Sequence, residues 1–219
     1  VLNIYKKYSG QPEFINIHMY TVIEDHSPYY MRCRHPGQEE IIRLCQEELV
    51  RVGPVDCFTH HRVNQDLSEQ IVSLIPIHRE ANFIMHRVSL FITPPGWYYR
   101  VHKDGADNRC SINYTVQIQD DLCSTRWYSD EELQNYPLVG LAWKNQSREA
   151  QGFVPEQHPP VAKMTARPNE CILFNTEIFH DFDNRASPNQ RTVLTLRLKN
   201  PGDKYFDQVK QMILAAQSH

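Results

Sequence analysis

The spacing of hydrophobic residues changes period near residue 87. Before it, Ile41, Ile42, Leu44, Cys45, Leu49 and Val52 recur at helical spacing within Gln38–Val52, with Glu and Gln between them. Gly53-Pro54 closes that run, so the pattern predicts an amphipathic helix over 38–52. A shorter pattern predicts a second helix from about Asp66 to Leu74, and Tyr205–Ala216 predicts one near the end of the chain. Phe14–Tyr20 alternates as a strand does. From Arg87 onward the runs are short and rich in β-branched and aromatic residues. They are Val88–Thr93, Trp97–His102, Ser111–Ile118, Thr125–Tyr128, Val161–Ala166, Cys171–Phe174 and Thr192–Leu198, with Pro, Gly, Asn and Asp between them. So many strands with no long helix among them predict an antiparallel sandwich or barrel. Residues 129–160, with Glu131-Glu132, Pro137, Pro155 and Pro159-Pro160, break the series as a long insertion. Functional lids and plain decoration share that length.

Composition narrows the partners more than the fold. The 219 residues are 41% hydrophobic and 22% charged, the balance of a globular chain with room for a core. A net charge of −3 gives no general attraction to nucleic acid or to an anionic membrane, so neither is expected as a partner. No apolar run approaches the ~20 residues of a membrane helix. The six cysteines (Cys33, Cys45, Cys57, Cys110, Cys123, Cys171) form no C-x-x-C pair, which predicts reduced structural thiols and a cytoplasmic protein. The first residue is Val1, so a trimmed amino terminus is part of the expectation.

Candidate chemistry begins where the strand Gly96–His102 meets the turn Lys103-Asp104-Gly105. On an extended chain His102 and Asp104 point to one face, so an imidazole nitrogen and a carboxylate oxygen can close on one metal ion. A common Asp-Gly turn is the plain alternative. A third ligand is on offer at His180, which follows the strand Cys171–Phe174 and a polar turn, and precedes a polar loop over Asp181–Gln190. In the strand Arg191-Thr192-Val193-Leu194-Thr195-Leu196-Arg197, Arg191, Val193, Thr195 and Arg197 share a face. An arginine facing a barrel interior is costly without an anion to bind. Two imidazoles and one carboxylate occupy one face of an octahedron, as in non-haem Fe(II) oxygenases.

His102-x-Asp104, then His180, then Arg191 resemble the iron- and 2-oxoglutarate-dependent dioxygenases over about residues 86–199. The resemblance implies a mainly β fold, a double-stranded β-helix (jelly-roll) core with flanking α-helices. It divides a single domain of 1–219 into a supporting segment 1–85, the core 86–199 and a C-terminal helix in 200–219. It implies that His102, Asp104 and His180 hold Fe(II) and that Arg191 pairs the far carboxylate of 2-oxoglutarate. With O2, the co-substrate would give succinate and CO2 while an amino-acid or peptidyl side chain of a small-molecule or peptide substrate is hydroxylated. The eleven-residue step from His180 to Arg191 is similar to the aspartyl/asparaginyl β-hydroxylase and proline hydroxylase branch, although the β-hydroxylases lack the Asp ligand. The Arg191-x5-Arg197 pair also resembles the nucleobase demethylases, whose second arginine lies near the co-substrate; against them, the chain shows no basic stripe. A non-catalytic jelly-roll with a vestigial metal site is the contrasting class.

Lesser candidates have plainer readings beside them. Of Asn113 and Tyr114, whichever faces inward can hydrogen-bond the co-substrate. Arg109 reads as an exposed loop arginine before a substrate-binding one, and Asn184 as a turn residue before a partner of His180. Trp97, Tyr98 and Tyr99 read as barrel packing, with room for one to face the site. His78-x-Glu80 is a rival ligand pair with a poor strand context, and His60-His61 and His158 read as surface histidines. Cupins expect His-x-His where this chain has His102-x-Asp104. Oligomeric state is left open.

Overall fold

The structure is a computed structural model that describes residues 20–81, 83–84, 87–104, 109–140, 148–198 and 205–217. Two antiparallel sheets face each other, their strands numbered in chain order. The larger runs β1 (Thr21–His26), β2 (Tyr30–Arg34), β11 (Cys171–Asn175), β6 (Cys110–Gln117), β13 (Arg191–Arg197), β4 (Ser89–Thr93), β3 (Thr59–Arg62). The smaller runs β10 (Ala162–Thr165), β7 (Ser124–Trp127), β12 (His180–Asp183), β5 (Tyr98–Lys103), β9 (Arg148–Ala150), β8 (Leu138–Gly140). From β4 the chain winds between them: large, small, large, small over β4–β7, then small, large, small, large over β10–β13. That winding is a double-stranded β-helix, the jelly-roll expected from the sequence.

Alternation along the strands sorts side chains into three apolar layers. On the outer face of the large sheet, Ile112, Tyr114, Leu194 and Leu196 meet the helices α1 (Gln38–Val52), α2 (Gln65–Ser73) and α5 (Phe206–Ala215) through Ile41, Cys45, Ile71, Val209 and Ile213. Between the sheets, Tyr30, Ile172 and Phe174 of the large one pack on Trp127 and Met164 of the small one. On the outer face of the small sheet, Val101, Tyr128 and Phe179 meet Leu133 and Ala150 of the long insertion. Its described residues form α4 (Asp130–Leu133), β8 and β9, which extend the small sheet beyond β5. They build a layer behind the sheet. A four-residue helix, α3 (His78–Ala81), leads into the jelly-roll.

Several strands escape a reading based on hydrophobic runs because they are edges or carry buried charge. β3, Thr-His-His-Arg, sits at the end of the large sheet, where polar residues are the normal guard against edge pairing. Within it His60 is exposed, while His61 is part-buried and 2.9 Å from Glu48. β2 contains Arg32, buried but neutralised by Glu24 at 2.6 Å and by Glu170. The run Phe14–Tyr20 lies outside the described residues except for Tyr20, which is in the core. All six cysteines are free, and burial pushes the Cys45 and Cys110 thiols up to about 12, so these two stay protonated packing groups. No helix among the described residues is long and apolar enough to cross a membrane.

Gly37 marks a tight joint of the helical layer. It caps α1 where that helix abuts the end of α2, and a Cβ there would lie 2.4 Å from the Leu74 carbonyl oxygen and 3.0 Å from its Cβ. Its φ of −79° is open to any residue, so close approach alone demands glycine. Gly37→Ala is expected to destabilise the fold by about 1–3 kcal/mol, read as a lower denaturant midpoint at unchanged slope.

Candidate functional site

β5 and β12 are neighbours in the small sheet, and their register sets His180 directly opposite His102. The two rings stand 4.4 Å apart between centroids, on the inner face with Trp127, which is also paired with His180. Two residues later on β12, Phe182 pairs with Tyr99, three residues before His102. β5 therefore carries a β-bulge at Arg100-Val101. The extra residue turns Val101 to the outer cluster and lets both Tyr99 and His102 face inward.

Each imidazole is fixed by its own strand. His102 Nδ1 lies 2.8 Å from the Arg100 carbonyl oxygen, and His180 Nδ1 lies 2.8 Å from that of Ile178. A carbonyl only accepts, so in the neutral ring Nδ1 carries the proton and Nε2 carries the lone pair. This is the usual preparation of a histidine for metal ligation. Tyr99 meets His102 edge-on at 4.6 Å, and Phe174 meets His180 edge-on at 4.9 Å. Asp104 is anchored through its backbone N–H, which donates to the Thr176 carbonyl at 3.0 Å. Its side chain is 7% exposed, with Oδ1 4.0 Å from His102 Nε2.

The structure thus brings His102, Asp104 and His180 to one place. Among the described residues no three His, Cys, Asp or Glu side chains are gathered closely enough to grip an ion as they stand. Two ligands at right angles on an octahedral ion, each at about 2.1 Å, are about 3 Å apart, so the His102–Asp104 gap must close by about 1 Å.

Across the interior, Arg191 opens β13 and is buried, its guanidinium 4.1 Å above the ring of Phe182. Among the described residues it faces no carboxylate, and its Nε is buried without a hydrogen-bond partner. Burial holds its pKa below the usual arginine value, opposed only by nearby Cys123. Asn113 Oδ1 and Thr115 Oγ1 are likewise buried without partners. Both face inward, since Asn113 pairs with Ile172 of the inter-sheet core and Thr115 with Val193. Two donors, Arg191 Nε and the Thr115 hydroxyl, and one acceptor, Asn113 Oδ1, left unsatisfied on one inner face fit a polar guest better than they fit a packed core.

Other candidates fall on either side of the sheets. Tyr114 points away from this space, with its hydroxyl 2.8 Å from His35 Nε2 in the helical layer. Arg197 is on the inner face, close enough to Tyr99 for its charge to act on the phenol, which burial and then Asp104 and Glu149 push well above its ordinary pKa. Arg109 lies over the Tyr205 ring at 4.4 Å and 3.3 Å from Glu177. Asn184 braces a turn, its amide donating to the Pro94 and Asn189 carbonyls. His78 begins α3 with Nδ1 2.7 Å from the Ile75 carbonyl, and positions two apart on a helix diverge. His158 packs on Phe153 and Tyr136.

The main correction to the sequence reading is Asp181. It is no loop residue: it lies on β12, fully buried on the face opposite His180. Its carboxylate accepts from Arg126 Nη2 at 2.6 Å and Nε at 3.1 Å, from the Tyr128 hydroxyl at 2.9 Å and from the Tyr98 hydroxyl at 3.3 Å. Arg126 belongs to β7 and Tyr98 to β5, so one carboxylate ties His180's strand to both neighbours. Burial and then the Asp181 charge push both phenols up, which keeps them protonated as donors. Arg126 also reaches Asp183 at 3.1 Å. The signal was the alternation His-Asp-Phe-Asp over 180–183, which puts two carboxylates on one face.

No family model and no curated protein matches the sequence. Among solved structures, HygX from Streptomyces hygroscopicus with nickel and 2-oxoglutarate bound aligns with a TM-score of 0.51 at 11% identity, over 85% of each chain. The same protein with nickel, 2-oxoglutarate and hygromycin B bound gives 0.50 at 12%, over 84% of each chain. At these identities the shared property is the fold.

Asp181→Ala is expected to cost about 3 kcal/mol or more, because Arg126 and two phenols lose a buried acceptor together. Chemical unfolding measures it. A loss below 1 kcal/mol would mean the network is not what holds β12.

Proposed function

We propose that this chain is an Fe(II)- and 2-oxoglutarate-dependent oxygenase that hydroxylates a small molecule or an amino-acid side chain. The observation that carries the proposal is that two inward imidazoles and Asp104 face, across the interior between the sheets, a buried Arg191 whose Nε lacks a hydrogen-bond partner. HygX, which shares the fold, has been seen with nickel and 2-oxoglutarate at once, the combination this donor set suits. The sequence resemblance to iron and 2-oxoglutarate enzymes rests on the same four residues. The closeness to the aspartyl/asparaginyl hydroxylases and proline hydroxylases remains part of the proposal, carried by the His180-to-Arg191 spacing.

In this reading His102 and His180 offer neutral nitrogens through Nε2, and Asp104 offers the one negative oxygen. Iron(II) with 2-oxoglutarate and O2 would supply the oxidising power, with succinate and CO2 released. Arg191 would fork onto the distal carboxylate of the co-substrate. Having already lost its hydration, the guanidinium spends nothing further on desolvation when the anion arrives. The Thr115 hydroxyl would donate to the anion, while the Asn113 carbonyl, which only accepts, would take a donor from the substrate or a water. Phe174, Phe182 and Trp127 wall the space with apolar surface and keep water from the reacting atoms. The carbonyl hold on both Nδ1 atoms keeps each Nε2 aimed through turnover.

The wild-type chain given Fe(II), ascorbate and 2-oxoglutarate should release succinate slowly even without its substrate. His180→Ala and Asp104→Ala should each lower that release at least a hundredfold. If the wild type released none and bound no Fe(II), the proposal would fail. Arg191→Met separates function from folding. It should raise the 2-oxoglutarate concentration for half-saturation by about thirtyfold or more, the loss of a buried charge pair. The ligand-free variant should nonetheless unfold at higher denaturant, gaining about 1–4 kcal/mol from removal of an unpaired buried cation.

A further inference from the structure

The ring contacts that start at His102 continue outward to solvent. Tyr99, edge-on to His102, has Phe58 5.4 Å away. Phe58 in turn lies 6.3 Å from Trp97 with the two planes 13° from parallel, and 5.9 Å from Phe91. His60 stacks on Phe91 at 4.6 Å, 11° from parallel. The five rings come from three strands and their entrances: Phe58 just before β3, His60 on β3, Phe91 on β4, Trp97 just before β5, and Tyr99 on β5. Register places His60, Phe91 and Val193 in one row on the inner face of the large sheet, and Tyr99 faces inward from the small one. The rings therefore span the mouth between the sheets on the side where the iron-ligand candidate His102 stands.

These rings are not core. None of the five belongs to, or packs against, the three apolar clusters that hold the fold. Trp97 is 36% exposed, His60 is exposed, and Phe58, Phe91 and Tyr99 are only half-buried. A contiguous aromatic surface held outside the cores and rimmed by polar residues marks a binding surface. Two near-parallel pairs present flat π-faces, and such faces bind a flat partner better than a puckered one.

We propose that this aromatic shelf binds a planar, unsaturated ring of the substrate, stacked on Phe58 and Trp97, and so presents the adjoining C–H bond beside His102. The inference rests on the oxygenase reading for the word substrate, while the shelf itself stands on the ring geometry. Phe58, Trp97 and Tyr99 become the specificity-determining residues: Tyr99 joins shelf to metal site, and the outer two select ring shape.

A matched pair of neutral probes tests it: 2-naphthalenemethanol, flat, and decahydro-2-naphthalenemethanol, of similar size but puckered. Binding is read on the full chain, loaded with Ni(II) and 2-oxoglutarate, by saturation-transfer NMR and by quenching of tryptophan emission. The flat probe should bind at least tenfold more tightly than the puckered one, and Phe58→Leu with Trp97→Leu should bring the two within twofold. Leucine keeps apolar volume at both positions, and the wild-type preference decides the matter even if the double variant folds poorly. Equal binding of the two probes, binding of neither, or a preference that survives in a folded double variant would overturn the shelf. Ni(II) and 2-oxoglutarate binding is measured separately on the wild type. A flat-ring preference without it would sink the oxygenase reading and leave the shelf standing.

Discussion

The site depends on one buried carboxylate that never faces it. β12 is four residues long, too short for its ladder alone to set the register of His180 against His102. Asp181 supplies what the ladder lacks. It draws Arg126 from one neighbouring strand and Tyr98 from the other onto the face behind His180. A buried charge is tolerable when it is this fully hydrogen-bonded, and it then makes any slip of register expensive, since a slip would strand several polar groups at once. The inner face inherits that rigidity: the two imidazoles stand opposite each other because the outer face cannot slide.

The two faces of the small sheet and its partner differ in an instructive way. Behind β12, charge is satisfied and contributes to the fold. Inside, Arg191, Asn113 and Thr115 are left wanting, and the interior of the jelly-roll is less stable for it. Proteins concentrate such unmet demands where a ligand will meet them. Arg191 over Phe182 shows the compromise: the ring gives the guanidinium a weak partner that an incoming carboxylate can readily outcompete.

Much of the fold was legible because period is legible. The 3.6-residue pattern of Gln38–Val52 became α1 with the same ends, and each β run from residue 88 onward became a strand shifted by a residue or so. His102, Asp104, His180 and Arg191 could be named as candidates because sequence order and strand context single them out, and the winding then sets all four toward the interior of one sandwich. What stayed hidden is what has no local signature. β3 is polar because it is an edge, and β12 is polar because its outward residues are a buried ion network. The choice between Asn113 and Tyr114 turns on parity within the sheet, and only the pairing with Ile172 decides it. The bulge in β5 is likewise invisible, since Tyr-Tyr-Arg-Val-His alternates poorly under either assignment.

That bulge has a consequence for how such a chain can change. Between Tyr99 and His102 two residues of β5, Arg100 and Val101, face one on β12, Asp181. Deleting either Arg100 or Val101 would give a more regular ladder, and by the usual measures of sheet quality a better protein. Tyr99 and His102 would then stand two apart, as Phe182 and His180 do, and would still share the inner face. The reverse change is the costly one: straightening β5 at its present length would turn Tyr99 or His102 to the far side of the sheet. One residue can therefore be lost at that point in the backbone, but the bend that accommodates it cannot be lost alone.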